Sequence, residues 1–120
     1  MEVANRDLCH PFTTEDGSEI RELLAHRNSS IRNQSLAEAT LRAGQSTRAH
    51  LHPEAEEIYY ILRGKGRMKI NGEERPVGPG DAIAIPPGMA HQISHLGQED
   101  LVFLCCCAPG YEPHDVVFVE

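Results

Sequence analysis

Residues 44–64 read GQSTRAHLHPEAEEIYYILRG, and residues 80–91 read GDAIAIPPGMAH. In the first stretch His50 and His52 are separated by one residue. Positions i and i+2 of an extended strand face the same side, so both imidazoles enter one face of a sheet. Pro53 stops that strand, because proline has no N–H for the ladder. Glu57 follows the turn and opens the next strand, where an antiparallel neighbour would carry its carboxylate beside the two rings. Parity separates it from the nearby Glu54 and Glu56: Glu57, Tyr59 and Ile61 share one face, and Glu56, Ile58, Tyr60 and Leu62 the other. In the second stretch, His91 comes just past the Pro86-Pro87-Gly88 turn.

Outward from these stretches the pattern is short strands and turns. Strands are expected at Ser35 to Arg42, Arg48 to His52, Glu57 to Arg63, Arg67 to Ile70, Glu74 to Val77, Ala82 to Ile85, His91 to His95 and Leu101 to Cys107. Asn71-Gly72 between two such runs is the strongest short-range hairpin signal. Gly44-Gln45-Ser46 and Gly78-Pro79-Gly80 mark further turns. Many short strands at this spacing mean a sandwich or barrel. Residues 1–30 read as an N-terminal arm. Asp16-Gly17 is a turn there, and Ser18 is placed to cap a short helix from Glu19 to Ala25, with Ile20, Leu23 and Leu24 as its apolar stripe. Residues 31–107 would be the barrel and 108–120 a C-terminal tail.

The chain has 120 residues and a formal charge of −7. One domain of that length buries roughly two-thirds of its unfolded surface and needs no disulfides. An acidic chain without a Lys/Arg run is a poor partner for nucleic acid. The opening residues mix charged and apolar types, which argues against a signal peptide, and no apolar run is long enough for a membrane span. The four cysteines are Cys9, Cys105, Cys106 and Cys107. A disulfide scaffold spreads its cysteines along the chain, whereas three here are consecutive and no C-x-x-C spacing occurs, so they read as small reduced side chains. Reduced thiols and no export signal point to the cytoplasm.

Three imidazoles and one carboxylate suit a borderline divalent ion such as Fe, Mn, Ni, Co, Cu or Zn. On a six-coordinate ion, four protein ligands leave two positions for a small-molecule substrate, or for substrate and oxygen. His-x-His alone is weak evidence, but here its surroundings are specific. Gly44, five residues, His50-x-His52, four residues, Glu57, six residues, Gly64 is one pattern; Gly80, five residues, Pro86-x-Gly88, two residues, His91 is the other; 15 residues lie between them. In both patterns the chain resembles the cupin superfamily of small barrels. The resemblance covers about Gly44 to Cys105. It implies an all-β fold, a double-stranded β-helix or jelly-roll barrel, with one metal ion per chain held near the mouth by His50, His52, Glu57 and His91.

There is one departure: His95 stands where the family's second motif ends in Asn. It shares a strand face with His91 and Ile93. It is a candidate catalytic acid/base, a partner of the ligands or a substrate contact; a hydrogen-bonded structural histidine is the alternative. Tyr59 would line the cavity one step deeper than Glu57, as a second catalytic candidate or as packing. Arg48 shares the parity of His50 and is the candidate substrate-binding cation at the mouth. His10, His26 and His114 have no fixed spacing to the cluster.

The function expected is that of a metalloenzyme on a small oxygen-rich molecule, of dioxygenase or isomerase/lyase type. The alternative is a non-catalytic sugar- or carboxylate-binding module. Few inward cations are available for a phosphate. Ile58, Tyr60 and Leu62 make the other face of their strand apolar as well, which predicts cover by the N-terminal arm or a second subunit, and hence a homodimer. Sedimentation equilibrium at micromolar concentration should then give twice the chain mass; a monomer would contradict the expectation.

Overall fold

The Glu56–Arg63 run alternates strictly in burial: Glu57, Tyr59 and Ile61 are buried, while Glu56, Ile58, Tyr60 and Leu62 are exposed. The computed structural model describes residues 1–119 and gives eleven strands in that region. They are β1 (Phe12–Thr13), β2 (Glu19–Leu24), β3 (Ser35–Leu41), β4 (His50–Leu51), β5 (Glu56–Arg63), β6 (Lys65–Ile70), β7 (Glu73–Val77), β8 (Ala82–Ile85), β9 (His91–Leu96), β10 (Leu101–Ala108) and β11 (Val117–Phe118). One sheet runs β1-β2-β3-β10-β5-β8 and the other β11-β4-β9-β6-β7, with every pairing antiparallel. The fold is all-β, two sheets closed on one another as a jelly roll. Among the described residues no helix is long and apolar enough to cross a membrane.

The inner faces pack one core. Leu41, Ile61, Ile93, Leu101 and Phe103 are essentially inaccessible, and Ala39, Tyr59, Met68, Val77 and Ile85 complete the cluster. Each large apolar side chain buried there contributes about 1.5–3 kcal/mol. Asn71-Gly72 joins β6 to β7 in a two-residue turn with Ile70 opposite Glu73. Both turn residues have positive φ, +48° and +91°, which is the backbone an Asn-Gly hairpin supplies.

The expected N-terminal helix needs correction. Glu19–Leu24 is strand β2, not a helix, and the N-terminal arm contains only a 3-10 turn at Arg6–Leu8. The Asp16-Gly17 turn is present, but Ser18 donates its hydroxyl to Asp16 and caps nothing. β2 pairs on both sides, with β1 and β3, and this long-range ladder outweighs a weak local helix preference. The C-terminal tail adds a short strand to the other sheet. Its β11 pairs with β4, setting Phe118 opposite His50.

Gly64 is the tightest turn position. Its φ is +79°, and a Cβ there would lie 2.3 Å from the Asp100 carbonyl oxygen. Gly44 has the same φ, but a Cβ would meet nothing within 4 Å. Gly44→Ala should therefore cost about 1 kcal/mol, the left-handed penalty alone, and Gly64→Ala clearly more, about 3 kcal/mol, because the backbone must also shift. Urea midpoints compare them directly; equal losses would contradict the close approach.

Candidate metal centre

Each sheet delivers part of the site. His50 on β4 sits opposite His91 on β9, so the five-stranded sheet brings both imidazoles together, their ring centroids 4.4 Å apart. His52 follows β4 directly. Glu57 comes from β5 in the other sheet. One nitrogen from each of His50, His52 and His91 lies within 4.8 Å of the others. Glu57 Oε1 is 3.2 Å from His52 Nε2 and 3.3 Å from His91 Nε2. All four side chains are buried.

Backbone and neighbours fix the orientation of these groups. His50 Nδ1–H donates to the Arg48 carbonyl at 2.7 Å, and His91 Nδ1–H donates to the Met89 carbonyl at 2.9 Å. A carbonyl only accepts, so the proton is on Nδ1 and each Nε2 presents its lone pair. The Cys107 thiol donates to Glu57 Oε2 at 3.2 Å, leaving Oε1 toward the imidazoles. Asp115, in the tail, accepts the Glu54 and Ala55 N–H groups, both at 3.0 Å, and so pins the turn between His52 and Glu57. Gly88 N–H donates to the His52 carbonyl, tying the second turn to the first.

Glu57 Oε1 and His91 Nε2 are buried without a hydrogen-bond partner. Two such atoms facing one another would be costly unless a further group satisfies them. A divalent cation does so, since it takes lone pairs from carboxylate and imidazole alike. The three imidazoles therefore fit a divalent ion, and Glu57 Oε1 stands beside two of them as a further oxygen donor.

Protonation follows from the packing. Burial lowers the His50 pKa, and neighbouring His91 lowers it further. Burial also pulls His52 down, but the Glu57 carboxylate outweighs it and the net shift is upward. Burial raises Glu57, yet the two facing imidazoles prevail and hold it at about 2. The Glu57 contribution to stability is thus present above the ordinary carboxylate pKa and lost as pH falls from there toward 2.

The other expected residues divide between the cavity and its surroundings. Tyr59 lines the cavity, its ring 4.8 Å from that of Phe103 and 5.9 Å from that of His91; burial pushes its phenol well up, so it stays protonated. His95 is buried, but its ring is fully engaged: Nδ1 accepts the Gly44 N–H at 3.3 Å, and Nε2–H donates to the Glu99 carbonyl at 2.9 Å. It is not among the described cavity-lining residues. Arg48 is exposed, with its guanidinium 3.8 Å from the centre of the Phe118 ring, and does not line the cavity either. Cys105 and Cys107 face inward, a choice strand parity alone left open. Asp16, Tyr111 and Asp115 were missed. Asp16 read as turn punctuation, and the other two lie in a segment without strand pattern.

Ligation would need these imidazoles neutral, and Glu57 favours the charged form of His52, so protons would compete with a metal more strongly as pH falls. Affinity should decline steadily from about pH 8 to about pH 5, and His50→Ala or His91→Ala should weaken it by about tenfold or more. Chelator competition measures both. A flat pH profile, or unchanged affinity in either variant, would contradict ligation by these imidazoles.

Comparison with known proteins agrees with this geometry. The cupin domain model matches residues 37–107. An uncharacterised protein of Methanocaldococcus jannaschii is 44% identical, over 95% of this chain and 91% of that one. A glucose-6-phosphate isomerase of Thermococcus kodakarensis is 38% identical over 58% of this chain, but the match spans only 40% of the isomerase. A solved structure described as a predicted oxalate decarboxylase of Thermotoga maritima is 28% identical, with a TM-score of 0.80 over 90% of this chain and 99% of that one. The paired motifs, the two-sheet barrel and the buried histidine cluster thus have one common explanation: this chain belongs to the cupin family.

Proposed function

We propose that the chain is a metal-dependent enzyme acting on a small oxygen-rich organic molecule. The observation that carries this reading is the pair of buried, unpartnered atoms, Glu57 Oε1 and His91 Nε2, 3.3 Å apart, of which Glu57 belongs to a cavity wall. A purely structural metal site is closed by protein ligands, whereas here the histidines His50 and His52 also line open space. When bound, the ion would supply Lewis acidity and a template for chelating oxygens.

The residues of the chain do the rest. His50, His52, Glu57 and His91 hold the ion. The Cys107 thiol fixes which carboxylate oxygen is offered. Burial pushes Tyr111 up to about 12 and Tyr59 well above its ordinary value, so both phenols keep their protons as hydrogen-bond donors in the cavity wall. Phe12, Ile20 and Phe103 make the opposite wall apolar and limit water. The reading includes both dioxygenation and isomerase or lyase chemistry, and the ion decides between them. The exposed stripe of Ile58, Tyr60 and Leu62 supports a second copy packed there. The free thiols support a reducing, cytoplasmic setting.

Protein loaded in turn with Fe(II), Mn(II), Co(II), Ni(II) and Zn(II) is assayed against diketones, catechols and sugar phosphates. Turnover of at least one compound is expected, falling at least about 100-fold in His91→Ala, a ligand loss at the reacting centre. Tight ligand binding with no turnover by any metal form would contradict the enzyme reading and favour a binding module.

A further inference from the structure

The cavity wall carries a second carboxylate, and it is built rather than incidental. Asp16 Oδ1 accepts three hydrogen bonds: from the Thr14 hydroxyl at 2.5 Å, the Ser18 N–H at 2.9 Å and the Ser18 hydroxyl at 2.7 Å. Ser18 is itself buried. The other oxygen, Oδ2, points to the metal centre and lies 3.9 Å from His50 Nε2. The turn is docked to the strand that carries this histidine, because Arg48 N–H donates to the Asp16 carbonyl at 2.7 Å. Asp16 and His50 are therefore set relative to one another by the backbone.

The charge around this carboxylate is one-sided. Asp16, Glu22 and Glu57 line the cavity, and no Lys or Arg does so among the described residues. The two nearby cations are engaged. Arg27 pairs with Glu22 at 2.8 Å and Glu112 at 3.2 Å, and Arg48 lies over Phe118. The remaining walls include Phe12, Ile20, Phe103 and Val116.

A group seated between His50 and Asp16 Oδ2 meets an acceptor. A hydroxyl can donate to it and gain a charge-assisted hydrogen bond. A phosphate or carboxylate offers only lone pairs there and meets like charge, a local penalty set against the attraction that a bound ion gives any anionic chelator. A cation is tolerated. The apolar walls suit a hydrocarbon ring.

We propose that Asp16 is a specificity-determining residue, making this cavity accept neutral or cationic, hydroxyl-bearing, largely apolar molecules and reject phosphates and carboxylates. The proposal rests on the metal-dependent reading above and narrows its substrate class. It separates this chain from activities on phosphorylated sugars or small dicarboxylates.

Three probes share one chelating diol and differ in charge: catechol, dopamine and 3,4-dihydroxybenzoate. Their dissociation constants are measured by calorimetry on the Co(II)-loaded full chain, together with Co(II) content. Catechol and dopamine should bind at least about tenfold tighter than 3,4-dihydroxybenzoate. Asp16→Asn, checked for folding by circular dichroism, should shrink that gap to about threefold or less, largely by improving the benzoate. Equal binding of catechol and the benzoate by the wild type would overturn the proposal, as would an unchanged gap in folded Asp16→Asn. Should that variant not fold, the wild-type order alone decides. Failure to take up Co(II) would instead sink the metal-dependent reading. The same three probes on the metal-free chain then judge the cavity separately: the order expected above upholds the selectivity, and preference for the benzoate or no preference overturns it.

Discussion

A buried carboxylate facing imidazoles across a sheet-to-sheet gap is the constraint on which the rest of the structure depends. Glu57 arrives on β5 of one sheet, and the histidines arrive on and beside strands of the other. Left alone, such a group would be costly to bury, and the strands would gain by relaxing away from it. They do not relax because three of the four donors are fastened separately. The Arg48 and Met89 carbonyls hold two rings, the Cys107 thiol holds the carboxylate, and Asp115 holds the intervening turn. Preorganisation of this kind is what an ion needs to bind without refolding its site.

Strand β9 shows how one barrel serves both packing and chemistry. His91, Ile93 and His95 share an inward face, yet each meets a different environment. His91 stands at the metal centre with its Nε2 unpaired. Ile93 is in the apolar core, fully inaccessible. His95 is at the far end, where both ring nitrogens bind backbone and join the Gly44 turn to the loop before β10. Position along the strand, rather than residue type, separates ligand, core and brace. Tyr59 makes a similar transition on β5, one step inward from Glu57 and packed on Phe103.

Local rules carried the barrel and the grouping of the histidines with Glu57. His50, His52 and Glu57 follow from period-two alternation around a proline turn, and Asn71-Gly72 fixes a hairpin by its own backbone preference. The eight barrel strands fell within two residues of their expected ends. What local rules missed was decided at long range. Ile20, Leu23 and Leu24 fit a helical stripe as well as a strand, and only β1 and β3 tip the choice. Val117–Phe118 is too short to read as a strand without β4 beside it. Asp16 and Asp115 matter because distant backbone reaches them: Arg48 meets one, and Glu54 and Ala55 meet the other. No spacing in the sequence announces either contact. Conversely, Arg48 and His95 had the right parity for the cavity, but parity gives a direction and not a partner.

X-ray absorption at the cobalt edge of the Co(II)-loaded chain tests the central claim most directly, because imidazole rings leave a characteristic outer-shell signal. Convergence of His50, His52, His91 and Glu57 on one point predicts a single cobalt per chain, with three imidazoles and the remaining neighbours oxygen. A spectrum with one imidazole or none, or cobalt scattered over several weak sites, would contradict it.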